Sequence, residues 1–145
     1  MKIGILWDLD GTLLNTLEDL KDAVNYTMDV YHCPRKTTAQ VRQYLGNGSA
    51  RLISLSLKDV PNAPDEAEVL NTYKAYYDAH CRIKTAPYPG ILPALDALGK
   101  KFPMAIVSNK PDSAVKILCS DYFGEIYARG DRAGCRRKPA RSPRA

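Results

Sequence analysis

Ile3-Gly4-Ile5-Leu6-Trp7-Asp8-Leu9-Asp10-Gly11-Thr12-Leu13 is the stretch that decides the fold. Its first five residues have no polar alternation, the pattern of a strand covered on both faces inside a parallel sheet. The glycine behind the second aspartate is a turn residue, so the two acids sit at the strand's C-terminal end. Asp8 and Asp10 are two apart, which projects them to one side of a strand. In an open α/β sheet, ligands bind beyond the carboxyl ends of the strands.

Working outward, residues 15 to 87 read as helical. Thr16 with Asp19 resembles a capping pair, and Leu20, Val24, Met28 and Tyr31 follow at helical spacing. Thr37 and Gln40 form a capping box for a second helix, closed at Gly46. A third helix spans roughly residues 49 to 57. A fourth begins after Pro64 with an acidic first turn and a face of Val69, Tyr73, Tyr76, Tyr77 and His80.

The pattern changes after Tyr88-Pro89-Gly90. A helix carrying Leu92, Leu95 and Leu98 leads to a second apolar strand, Met104–Val107, that ends in Ser108-Asn109-Lys110. Pro111 and Asp112 open another helix, and Ile126-Tyr127-Ala128 reads as a third strand. Strand, helix, strand, helix, strand predicts an α/β fold with a parallel sheet and right-handed crossovers.

The 145 residues carry 45% apolar and 26% charged side chains, the balance of a globular domain and not of a disordered chain. No apolar run reaches the ~20 residues of a membrane span, and the N-terminus lacks the form of a signal peptide, so a cytoplasmic protein is expected. The net charge of +5 is local. Residues 129 to 145 hold seven Lys/Arg against one Asp, a surplus of six that leaves residues 1 to 128 at −1. A basic tail on a near-neutral domain does not predict a nucleic-acid partner. Cys33, Cys81, Cys119 and Cys135 are far apart and without a CxxC pair, which argues for buried reduced thiols over a zinc site.

Two carboxylates, a hydroxyl and an amide converging on one crevice suit a phosphate held with a divalent cation. Singly, Asp-Gly reads as a turn and Ser-Asn as a helix cap. Together, and each behind an apolar strand, they make a site.

On these residues the sequence resembles the haloacid dehalogenase superfamily, within it the phosphoglycolate phosphatase-like branch. The likeness rests on the aspartate motif at 8 to 12, the helical insertion behind it, Pro87-Tyr88-Pro89-Gly90-Ile91, Ser108-Asn109-Lys110 and Arg137-Lys138-Pro139. It implies a Rossmann-like core of residues 1–14 and 88–140, a helical cap of 15–87 and a basic tail of 141–145. It further implies that Asp8 attacks phosphorus and forms an aspartyl-phosphate, and that Asp10 acts as general acid and base. Gly11 admits the phosphate to the backbone, Thr12 orients Asp10, Ser108 and Asn109 bind phosphate oxygens, and Lys138 offsets charge.

Mg²⁺ is the implied cofactor, on the Asp8 carboxylate and the Asp10 backbone carbonyl. An acid at position 10 favours phosphate-ester chemistry, and a helical cap favours a small phosphorylated metabolite. Gly46-Asn47-Gly48 with Arg51 reads either as a substrate loop or as a plain helix end. The family's acidic fourth motif does not follow Lys138. The expectation is therefore a C-terminally truncated phosphatase of impaired activity. A β-phosphoglucomutase-like enzyme and a non-catalytic remnant are the alternatives, and no oligomeric state is implied.

Overall fold

The computed structural model describes residues 3–128 and 134–137, with side chains to residue 124. Two apolar runs form the parallel strands that the sequence predicts. Strand β1 (Ile5–Trp7) pairs with β4 (Met104–Ser108) in the register Ile5 to Met104, Leu6 to Ala105 and Trp7 to Ile106. On its other side β4 pairs in parallel with β5 (Gly134–Arg137), so the sheet order is β1-β4-β5. Among the described residues β1 has one neighbouring strand, and Leu6 on it is 74% exposed.

The third strand differs from expectation. Residues 126 to 128, expected as a strand, are the end of helix α6 (Asp112–Ala128), and the strand comes later at Gly134–Arg137. The helix outlasts its expected end because Ala114, Val115, Leu118, Cys119 and Phe123 recur at helical spacing, all buried.

Four helices lie between the strand segments: α1 (Leu17–Val30), α2 (Thr38–Tyr44), α3 (Ser49–Leu57) and α4 (Glu66–His80). The Thr37/Gln40 capping box forms as predicted, with both reciprocal hydrogen bonds present. Asp65 caps α4, its carboxylate accepting from the backbone N–H of Ala67 and Glu68. The chain enters this helical stretch through β2 (Leu14–Asn15) and leaves it through β3 (Ala86–Pro87). These two short strands pair with each other, antiparallel, so entry and exit lie side by side. Helix α5 (Ile91–Gly99) then leads to β4.

The expected Thr16/Asp19 cap is absent: Thr16 makes no side-chain cap bond. Both residues serve longer-range contacts instead. Asp19, buried, accepts from the backbone N–H groups of Lys84 and Thr85 and from the Thr85 hydroxyl, at 2.7 to 3.0 Å. The first turn of α1 is thereby fastened to the chain's return path.

One buried cluster runs through both regions, from Val24, Met28 and Val69 among the four helices to Ile106, Val115 and Phe123 beside the sheet. Tyr76 is stacked between Tyr26 and His80, with centroids 3.9 Å away on each side. Cys33 and Cys81 are free and buried; Cys119 is buried and disulfide-bonded, where free thiols were expected throughout. Among the described residues no helix is long and apolar enough to cross a membrane.

Candidate active site at the strand ends

The loop behind β1 alternates leucines with polar residues, and the two sets part company. Leu9, Leu13 and Leu14 are fully buried, each contributing about 1.5–3 kcal/mol of apolar burial. The carbonyl of Leu9 accepts from the backbone N–H of Leu13 and Leu14, and Gly11 turns the chain at φ +75°, where a side chain would be strained. Anchored in this way, Asp8 and Asp10 are left facing a cavity of about 630 Å³.

Ser108 and Asn109, at the end of the adjacent strand β4, line the same cavity, as does Gly11. The parallel register of β1 and β4 brings the two loop segments together. Ser108 is buried, and its hydroxyl accepts from the backbone N–H of Lys110 at 3.2 Å. Asn109 is held by the helical region: its side-chain amide donates to the carbonyl of Gly46 at 2.6 Å. Thr12 is exposed and outside the lining; the hydroxyl that reaches Asp10 belongs to Thr16, donating to Oδ1 at 2.6 Å. Lys138 lies outside the described residues. Arg51 is exposed and not part of the lining, which instead takes Arg42, Leu45, Gly46 and Gly48 from around the α2–α3 turn.

Lys110 is the residue that sequence reasoning passed over. Its side chain is 3% exposed, with Nζ 3.0 Å from Asp10 Oδ1. The same ammonium donates to the Tyr77 hydroxyl at 2.8 Å and lies 4.4 Å from the centre of that ring. Burial first, and then the charge on Asp10, push the Tyr77 and Tyr73 phenols well above their ordinary pKa, so both stay protonated. Tyr77 belongs to α4, so one cation ties the acid behind β1 to a helix of the inserted stretch. A signal was available: a lysine directly after Ser-Asn at a strand end, beside a strand that ends in two carboxylates.

Asp8 and Asp10 put two hard oxygen donors on this cavity, a set suited to Mg²⁺, which takes one or two carboxylates and completes its shell with phosphate oxygens and water. Among the described residues no three His, Cys, Asp or Glu side chains cluster closely enough to hold a metal by themselves.

Known proteins are similar to this chain in sequence and in fold. A phosphoglycolate phosphatase of Thiobacillus denitrificans is 32% identical over 94% of the chain, and one of Aquifex aeolicus is 32% identical over 96%. The chain spans 63% and 65% of the length of these two relatives. A crystal structure described as that of a phosphoglycolate phosphatase from Lactobacillus delbrueckii superposes with a TM-score of 0.78 at 30% identity, covering 99% of this chain and 68% of the other. The family model for haloacid dehalogenase-like hydrolases matches residues 5–139, from the first strand through both strand-end motifs. With its paired aspartates and its Ser-Asn-Lys facing one cavity, the chain belongs to the haloacid dehalogenase-like hydrolase family.

Proposed function

We propose that this protein is a phosphatase of small phosphorylated metabolites, phosphoglycolate-like, working through an aspartyl-phosphate on Asp8. The observation that carries the reading is the convergence of Asp8, Asp10, Ser108 and Asn109 on one cavity, with the Lys110 ammonium on Asp10. The names of the relatives supply the substrate class to try first.

In the first step an Asp8 oxygen attacks phosphorus, the ester P–O bond breaks, and the departing alkoxide takes a proton from Asp10. In the second, Asp10 removes a proton from water, whose oxygen attacks phosphorus and returns Asp8 as a carboxylate with inorganic phosphate. Thr16 and Lys110 hold the Asp10 carboxylate by one oxygen, which leaves the other for proton transfer. Ser108, Asn109 and the backbone at Gly11 take the non-reacting phosphate oxygens. Lys138 adds positive charge from outside the described residues. Residues 15–87 serve as a cap that excludes water from a core made of residues 1–14 and 88–140.

Asp8 and Asp10 are the residues that would hold Mg²⁺, with the phosphate and water completing its shell. When bound, the ion neutralises charge on the transferring phosphoryl group. Among the described residues no third His, Cys, Asp or Glu side chain stands with Asp8 and Asp10 to hold the ion. We therefore expect weak Mg²⁺ binding by the 145-residue polypeptide and turnover below the ~1–10³ s⁻¹ of ordinary enzymes.

The test is hydrolysis of phosphoglycolate and p-nitrophenyl phosphate with Mg²⁺ or with EDTA. Slow turnover that EDTA abolishes is the expected result. Turnover indifferent to EDTA contradicts the metal assignment, and turnover at ordinary enzyme speed contradicts the expected impairment. Folded protein with no hydrolysis at all favours a non-catalytic scaffold.

A further inference from the structure

The cavity holds a second cation that the phosphate chemistry leaves unused. Its charged lining residues are Asp8, Asp10, Glu18, Arg42 and Lys110. Lys110 is committed to Asp10 and Tyr77, and Glu18 to Lys21. Arg42 forms no ion pair within the described residues.

The position of Arg42 is not accidental. It lies in the last turn of α2, four residues before Gly46, whose carbonyl receives the Asn109 side chain. Gly46 and Gly48 both adopt positive φ, +103° and +87°. A Cβ on Gly48 would stand 3.3 Å from the Asn109 carbonyl, so the turn is pressed against the end of β4. The clamp that joins this turn to the phosphate-binding strand end also presents Arg42 at the cavity wall.

We propose that Arg42 receives a carboxylate on the organic part of the substrate and so selects phosphate monoesters that carry one. The inference deepens the phosphatase reading and rests on it. A guanidinium fork offers two parallel N–H donors, the match for the two oxygens of one carboxylate. A second phosphate fits less well: its extra charge would stand in a cavity that already holds Asp8, Asp10 and Glu18. Arg51, exposed and away from the lining, takes no part.

The experiment is calorimetric titration of the 145-residue protein with 2-phosphoglycolate and with ethyl phosphate, which lacks the carboxylate, in the presence of Mg²⁺. The protein is expected to bind phosphoglycolate about tenfold more tightly, the worth of one charge-assisted pair near a surface. Arg42→Gln brings that ratio close to one and leaves ethyl phosphate binding unchanged; Arg51→Gln preserves the ratio. Arg42 is exposed and Gln is as good a helix former, so the variant folds. A preference that survives Arg42→Gln, or none in the parent protein, overturns the role of Arg42 while ethyl phosphate binding keeps the phosphatase reading. If neither ester binds the parent protein, both fall.

Discussion

Asp8→Asn is expected to reduce hydrolysis of p-nitrophenyl phosphate to background, a loss of ~10³-fold or more where parent turnover is high enough to measure it. The amide has nearly the shape of the carboxylate but no anionic oxygen, so the bond to phosphorus cannot form. The amide is isosteric with the carboxylate, so the fold is expected to respond little. Asp8 is exposed, and the backbone N–H of Leu9, which donates to its Oδ1 at 2.9 Å, finds the same acceptor in the asparagine carbonyl. Stability should therefore stay within about 0.5 kcal/mol of the parent, as at other exposed positions. Parallel thermal melts and rate assays check both halves. A folded variant that keeps its hydrolysis removes Asp8 from the mechanism; one that loses both fold and hydrolysis contradicts the structural half.

The largest stability effect is expected at Asp19→Ala. The carboxylate satisfies two backbone N–H groups and one hydroxyl across 65 and 66 residues of sequence. Alanine leaves those donors without a partner, and Thr85 is itself buried. Hydrogen bonds to a charged group contribute about 1.5–3 kcal/mol each, partly recovered by water at the exposed Lys84. A net loss of about 3 kcal/mol follows, lowering Tm by roughly 10 °C for a chain of this size. Asp19→Asn retains one acceptor oxygen and should lie between the two. A melt within 2 °C or so of the parent for Asp19→Ala would mean that the return path is held by the β2–β3 ribbon and not by this carboxylate.

Asp19 also shows why some of this molecule was legible in its sequence and some was not. Strands β1 and β4 announce themselves as apolar runs that stop at polar motifs, and the Thr37/Gln40 box closes locally, so its pattern is its structure. Thr16 and Asp19 display the same kind of pattern, yet the Thr16 hydroxyl donates to Asp10 and the Asp19 carboxylate accepts from the 84–85 segment. Local spacing cannot distinguish a cap from a tertiary bond made by the same side chains. The misplaced third strand has a related cause. Ile126-Tyr127-Ala128 is an apolar run too short to separate strand from helix, while Gly134-Cys135-Arg136-Arg137 has no apolar alternation to mark it as a strand.

The paired acids were legible at the site because they are adjacent in sequence and behind a strand. Their partners were harder to see. The Lys110–Asp10 pair and the Asn109–Gly46 bond each join segments at least 60 residues apart, and no periodicity encodes them. Lys110 was visible only as part of a motif whose serine and asparagine drew the chemical argument. Arg42 lay within an ordinary helix, and Arg51, nearer the glycine-rich turn, looked the better cation. Helix phase decided between them, because it turns Arg42 to the cavity wall and leaves Arg51 outside the lining.

The central claim is that Asp8 is a phosphoryl-accepting nucleophile, and capture of a phosphate mimic tests it without requiring turnover. Beryllofluoride, added with Mg²⁺ and followed by fluorine NMR, is expected to give bound resonances with the parent protein and none with Asp8→Asn. Equal capture by the two proteins, or no capture by folded parent protein, would contradict the account.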